Sequence, residues 1–198
     1  MRTAALPGII LPLLLLAASP ALAHTGVGVI GGFQSGFQHP IFGIDHLLAM
    51  VAVGIWGAQL GSPAIWALPI AFPLIMTGGG LLALAGVGLP MVETTIAASV
   101  VVLGALIAIA ARLPIWLAVV VVAIFALSHG HAHGTELPAA ADPIAYSLGF
   151  VVATGMLHAI GIVIGLLIRW PHGALALRVG GGAICAAGLW LLSSHVIA

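Results

Sequence analysis

The chain has 198 residues, of which 63% are hydrophobic and only 4% are charged, and its formal net charge is zero. A mean hydropathy of +1.33 lies far above that of soluble domains, so the composition predicts a protein embedded in a lipid bilayer. The chain has no lysine and no basic run, which argues against nucleic acid as a partner. Its single cysteine, Cys185, excludes an internal disulfide framework.

The first 23 residues have the layout of a secretory signal peptide. Arg2 supplies a short positive segment, an apolar stretch follows, and the run Ala21-Leu22-Ala23 forms an A-x-A cleavage site. We therefore expect cleavage after Ala23, which leaves His24 as the first residue of a mature domain over residues 24–198. An uncleaved signal anchor is the alternative. In both cases the chain that follows starts outside the cytoplasm.

Apolar segments separated by short glycine- and proline-containing loops make up the rest of the chain. At roughly 20 residues per membrane span, the length allows six helices and leaves no room for a separate soluble domain. The predicted fold is an all-α polytopic membrane protein with six transmembrane helices. We expect these helices at His39 to Leu60, Ala64 to Ala85, Glu93 to Ala111, Pro114 to Gly134, Pro143 to Ile168 and Ala174 to Val196.

The few charged residues indicate how these spans are oriented. With the mature N-terminus outside, every arginine of the mature chain falls on the cytoplasmic side, as the positive-inside rule requires: Arg112, Arg169 and Arg178. Three of the acidic residues fall at the opposite face: Glu93, Glu136 and Asp142. The sequence therefore predicts a bacterial inner-membrane protein with both termini of the mature chain on the periplasmic side.

Nine histidines are unusual among so few charged residues, and the first group of them opens the first span. His39 and His46 are two helical turns apart, so they share a face if one helix carries both. Asp45 lies about 100° around that helix, where it can bind the same ion or orient an imidazole. An aspartate inside a span costs roughly 2.5–3.5 kcal/mol, which favours a paired role. The alternative is that these residues cap the helix at the headgroup level.

The second group is the segment SHGHAHGTE at the end of the fourth span. His129, His133 and Glu136 follow i, i+4, i+7 spacing on one helical face, with His131 on the other side. Two imidazoles and a carboxylate are suitable ligands for a divalent first-row metal ion. A flexible histidine-rich loop that buffers ions loosely is the alternative.

Two further histidines are candidate metal ligands on weaker grounds. His158 lies near the middle of the fifth span, where a histidine either binds the ion or satisfies a neighbour's hydrogen bond. His24 would combine an imidazole with a free α-amino group after cleavage. A series of imidazoles from the outer surface inward indicates entry of a cation into the bilayer.

The segment His39-x5-Asp45-His46, the later HGHAHGTE and a six-span body behind a signal peptide together resemble the HupE/UreJ family of nickel/cobalt permeases. The resemblance implies that the chain is not an enzyme and has no prosthetic group. It implies uptake of Ni²⁺ or Co²⁺ into the cytoplasm for hydrogenase, urease or cobalamin pathways. The functional residues that it implies are His39, Asp45, His46, His129, His133 and Glu136. The family usually has phenylalanine where this chain has Ser128, which changes the polarity of the second motif and leaves its ligands intact.

Other classes remain open on the residues alone. An intramembrane hydrolase would use histidine and aspartate to hold a zinc ion that activates water. A haem-binding electron carrier would use His46 and His158 as axial ligands. ATP hydrolysis by this chain is excluded, because it contains no G-x-x-x-x-G-K-[ST] loop.

Overall fold

A computed structural model describes residues 32–137 and 142–197, so the expected signal peptide and His24 lie outside the described residues. Every regular element in these two ranges is helical. The helices are α1 (Gly32–Phe42), α2 (Ile44–Leu60), α3 (Ala64–Leu84), α4 (Val92–Ala108), α5 (Ile115–Thr135), α6 (Pro143–Gly165) and α7 (Gly173–Ile197), with a 3-10 turn over Leu166–Arg169 after α6.

Helix length and hydropathy define a multi-pass membrane protein. Four helical segments are long and apolar enough to cross a bilayer: α3, α5, α6 with its 3-10 extension, and α7. The pair α1 and α2 passes the same test as one bent span, whereas α4 is apolar but has only 17 residues. The described chain therefore has four or five candidate spans by these measures, fewer than the six predicted segments.

The first predicted span is broken at Gly43, where α1 and α2 meet at an angle of 77°. Gly43 adopts an extended conformation, with φ −76° and ψ 108°, and ends the helical run. The Asp45 carboxylate accepts a hydrogen bond of 2.8 Å from the backbone N–H of His46, a first-turn donor without a helical acceptor. The expectation that one helix carries both His39 and His46 is therefore wrong, since α1 carries the first and α2 the second.

The helices pack through glycines that allow two backbones to approach closely. Gly54 of α2 lies against the His158 carbonyl of α6, and Gly130 of α5 lies against the Met76 carbonyl of α3. A Cβ atom at either glycine would overlap that carbonyl group. Close approach through small residues is the usual way in which membrane helices associate, because lipid provides no hydrophobic force between them.

Helix α2 is the central helix of the bundle. It contacts α1, α3, α4, α6 and α7, and its residues from Ala52 to Ala58 are all buried. By contrast, α7 buries only a small part of its surface and exposes large apolar side chains such as Leu189 and Trp190. In a bilayer this exposed surface faces lipid. The first turn of α2 places His46 inside the bundle, whereas Asp45 beside it is half-buried.

Candidate metal centre

Three imidazoles meet at His46. Its Nε2 atom lies 2.8 Å from Nδ1 of His129 and 2.6 Å from Nε2 of His133. The ring centroids of the two pairs are 4.3 Å and 4.4 Å apart, and all three side chains are buried. His46 comes from the first turn of α2, while His129 and His133 are one turn apart near the end of α5. The structure thus brings the two histidine motifs to one place.

Hydrogen bonds around these rings determine which nitrogen atoms carry protons. Nδ1 of His46 lies 3.0 Å from Asp45 Oδ1, and because a carboxylate only accepts, this nitrogen is the protonated one. The Ser99 hydroxyl donates to the Ile96 carbonyl at 2.6 Å, so it accepts from Nε2 of His129 at 3.1 Å. The network therefore assigns a lone pair to His46 Nε2 and another to His129 Nδ1.

These two lone pairs face each other across 2.8 Å. Lone pairs at such a distance repel, and a cation held between the rings converts the repulsion into coordination. Nε2 of His133 points to the same place, since it too lies beside His46 Nε2. The arrangement is suited to binding a metal ion through three imidazole nitrogens.

A second group of donors lies beside the first and shares one residue with it. Ligand atoms of His39, His133 and Glu136 all lie within 4.8 Å of one another. His39 Nε2 is 3.9 Å from Glu136 Oε2, and its ring centroid is 4.7 Å from that of His133. We call the combined set the histidine cluster: His39, Asp45, His46, His129, His133 and Glu136. Glu136 directly follows the last turn of α5 and is half-buried, so this part of the cluster is closer to the surface.

Aromatic side chains enclose the cluster. The Phe150 ring lies 4.2 Å from that of His133, and the Phe72 ring lies 5.6 Å from that of His129. Tyr146, one turn before Phe150 on α6, lies 6.3 Å from the His39 ring. These rings give one side of the cluster apolar surroundings. Such an environment strengthens electrostatic interactions between donor atoms and a cation.

A cavity of about 110 Å³ reaches the cluster from one side. It lies between α3, the end of α5 and the start of α6, and its walls are mostly apolar. His133 is the member of the cluster that forms part of the wall, and the enclosing rings of Tyr146 and Phe150 form another part. The cavity thus leaves open space next to His133.

Sequence reasoning missed Phe72, Ser99 and Phe150. The aromatic residues resemble ordinary core residues of an apolar helix, so no local pattern distinguishes them. Ser99 did offer a signal, because it is the one polar residue in the apolar part of α4 from Ile96 to Ala108. Such a residue needs a partner, and that partner proves to be a histidine of another helix.

Other residues that the sequence singled out lie apart from the cluster. Nε2 of His131 is 2.8 Å from the Val87 carbonyl, on the connection between α3 and α4. His158 is 1% exposed, and its ring lies 5.5 Å from that of Phe72. The Ser128 hydroxyl bonds weakly to the Ile124 carbonyl of its own helix, at 3.4 Å.

Comparisons with known proteins cover nearly the whole chain. A family model described as HupE / UreJ protein matches residues 12–191. Protein HupE of Rhizobium leguminosarum bv. viciae is 47% identical over 176 residues, which cover 88% of this chain and 92% of that protein. No solved structure matches the chain. The matched region includes both histidine motifs and all but the end of α7.

Proposed function

The chain belongs to the HupE/UreJ family, which implies nickel or cobalt transport in general, and from this we propose that it carries Ni²⁺ or Co²⁺ from the periplasm to the cytoplasm. The observation that carries the proposal is the meeting of His46, His129 and His133, whose ring nitrogens converge at 2.6 Å and 2.8 Å. Neutral imidazole suits a divalent first-row ion and can be held inside a membrane without a charge of its own.

Only a small adjustment of the rings is needed to hold an ion. Imidazole nitrogens bind such metals at about 2.0–2.1 Å, so two ligands at right angles are roughly 3 Å apart. The present separations of 2.6 Å and 2.8 Å approach that value. Asp45 holds the His46 ring in place and offsets part of the charge of the ion.

His133 belongs both to the outer group of donors and to the three buried imidazoles, so it can pass the ion inward from one to the other. In the proposed sequence His39 and Glu136, which are half-buried, first bind the hydrated ion. His133 belongs to both groups, so it stays bound while His46 and His129 replace the outer ligands. Exchange between weak neighbouring sites lets an ion enter and leave again, which transport requires.

For the fold we propose six membrane spans, a cleaved signal peptide over residues 1–23 and both mature termini in the periplasm. The pair α1 and α2 forms one bent span, and α4, at about 25 Å, forms a short one. The Nε of Arg178 donates to the Ala108 carbonyl at 2.9 Å, which supports a common side for this arginine and Arg112. An arginine-rich side facing the cytoplasm is consistent with the inner membrane of a bacterium.

The two alternatives gain no support from the site. A haem with His46 as axial ligand needs open space at Nε2, whereas that atom is in contact with His129 and His133. A zinc hydrolase needs a coordinated water and a substrate position, and no observation favours either in the apolar surroundings of the cluster. We therefore propose transport without catalysis, and without a prosthetic group.

The test is uptake of radioactive Ni²⁺ by cells that lack other nickel permeases. Wild type should take up Ni²⁺, and His46→Ala and Asp45→Ala should lose nearly all uptake at equal membrane abundance. The matched control is His172→Asn, because His172 is exposed, lies outside the cluster and has a φ of 64° that asparagine tolerates. Co²⁺ and Zn²⁺ as competitors rank the ions. Absence of uptake with wild type, or full uptake with both cluster variants, contradicts the proposal.

A further inference from the structure

Helix α6 carries four buried side chains at four-residue spacing: Tyr146, Phe150, Thr154 and His158. The first two enclose the histidine cluster. Because four residues advance a helix by about 6 Å, Thr154 lies one turn further along α6 than Phe150, and His158 two turns. A row of positions on one helix face thus leads from the cluster into the centre of the bundle.

The last two residues of this row are polar and buried without hydrogen-bond partners. Thr154 and His158 are 0% and 1% exposed. The Thr154 hydroxyl has no hydrogen-bond partner, and neither ring nitrogen of His158 has one with regular hydrogen-bond geometry. Membrane and protein interiors rarely leave buried polar atoms unpaired, so two such residues one turn apart require an explanation.

A second oxygen comes from α3. Pro73 has no backbone N–H, so the carbonyl of Pro69, four residues earlier, lacks the donor that a regular helix would supply. The Pro69 backbone is close enough to interact with the His158 ring, although without the geometry of a hydrogen bond. The Phe72 ring contacts both His158 and His129, with centroid distances of 5.5 Å and 5.6 Å. The polar groups around His158 are therefore one aromatic ring away from the histidine cluster.

We propose that His158, the Thr154 hydroxyl and the Pro69 carbonyl form a second, inner site for the transported divalent cation, which receives the ion from the histidine cluster. The inference rests on the proposed function, whose pathway it extends. One imidazole and two neutral oxygens make a weaker set of donors than the four imidazoles and two carboxylates of the histidine cluster. An ion that reaches the inner site is therefore easier to release toward the cytoplasm.

The Thr154 hydroxyl offers the sharpest test, because valine has nearly the same shape. Kinetics of Ni²⁺ uptake and equilibrium binding of Ni²⁺ to purified protein are measured for wild type, Thr154→Val, Thr154→Ser and His158→Gln. We expect Thr154→Val and His158→Gln to lower the maximal uptake rate tenfold or more while KM changes less than threefold. Ni²⁺ affinity of the cluster should stay at the wild-type value, and Thr154→Ser should restore the rate.

A purely structural role predicts a different result. If Thr154 had only a structural role, removal of its hydroxyl would leave the maximal uptake rate unchanged, because the hydroxyl makes no hydrogen bond in the folded protein that the substitution could break. Unchanged rates in Thr154→Val and His158→Gln, or a parallel loss of cluster affinity in both, overturn the inner site. Thr95→Val is the matched control, since its hydroxyl only bonds the Met91 carbonyl near the surface. If wild type itself shows no uptake, the proposed function fails first and the inner site with it.

Discussion

At the scale of single residues, the metal binding that we propose for the cluster depends on neighbours that hold two of its imidazoles in one protonation pattern. Asp45 does this for His46 through Nδ1, and Ser99 does it for His129 through Nε2. Asp45 and Ser99 can both act in this way without touching the ion themselves. Partners of this kind orient metal ligands and increase their basicity.

We predict that Ser99→Ala lowers the equilibrium affinity for Ni²⁺ about 10- to 100-fold. Without the hydroxyl, the buried Nε2–H of His129 has lost its acceptor and the ring is free to adopt the other tautomer. Affinity is measured by calorimetry on purified protein, and the tautomer by nitrogen NMR of labelled histidine. Ser193→Ala is the control, because that exposed hydroxyl only bonds the Trp190 carbonyl. Unaltered affinity and an unaltered tautomer in Ser99→Ala would contradict this positioning role.

The family resemblance drawn from the two motifs is confirmed. Residue types and spacing named His46, His129 and His133 among the candidate ligands, and the structure brings these three together. They were not sufficient to identify His46 as the centre of contact. That position follows from α2 meeting α5 across more than eighty residues of sequence, which no local periodicity contains. For the same reason Ser99 could not be paired with His129 before the packing of α4 on α5 was known.

At the scale of helices, the break at Gly43 divides the first predicted span, His39 to Leu60, between two helices, α1 and α2. Hydropathy does not change at this residue, so a prediction based on the length of apolar segments cannot detect the break. The physical cause of the break is the pair Gly43 and Asp45. Gly43 leaves the helical conformation, and the Asp45 carboxylate accepts a hydrogen bond from a first-turn N–H of the new helix. The break lets His39 approach His133 from α1 while His46 approaches it from α2.

Packing of α3 on α5 supports the cluster from the opposite side, and two adjacent glycines test it. A Cβ atom at Gly79 would overlap the Leu127 carbonyl, whereas one at Gly78 meets no atom within 4 Å. We predict that Gly79→Ala lowers the free energy of unfolding in detergent by about 1–3 kcal/mol, as overpacking does in other proteins. Gly78→Ala makes the same chemical change in open space and should leave it nearly unaltered. Equal stability of the two variants would show that α3 and α5 can separate at no cost.

At the scale of the whole molecule, the length of apolar segments predicted where helices occur better than it predicted which helices are long enough to span the bilayer. The all-helical architecture follows directly, because only backbones with internal hydrogen bonds are stable in lipid. Within the described residues, four or five segments meet the length and hydropathy of a span, and α4 falls short at 17 residues. The bend in the first span comes from the break at Gly43, and neither this break nor the shortness of α4 is visible in apolar length alone.

The direction of transport depends on which end of the bundle faces the periplasm. His131 contacts the Val87 carbonyl, so the connection between α3 and α4 lies at the same end as the last turns of α5. Gly88 is in this connection and is exposed, and a side chain there meets no atom within 4 Å. Pro171, in the turn between α6 and α7, is also exposed and should lie at the opposite end.

We predict that a membrane-impermeant thiol reagent labels Gly88→Cys in cells with a permeable outer membrane, and labels Pro171→Cys only after the inner membrane is opened. Both variants are made in a Cys185→Ser background, which removes the native thiol. This pattern places the histidine cluster at the periplasmic end, where an incoming ion meets His39 and Glu136 before the buried imidazoles. The reverse pattern would place these ligands on the cytoplasmic side. The same three imidazoles would then collect metal from the cytoplasm, and export would replace uptake as the function that the geometry favours.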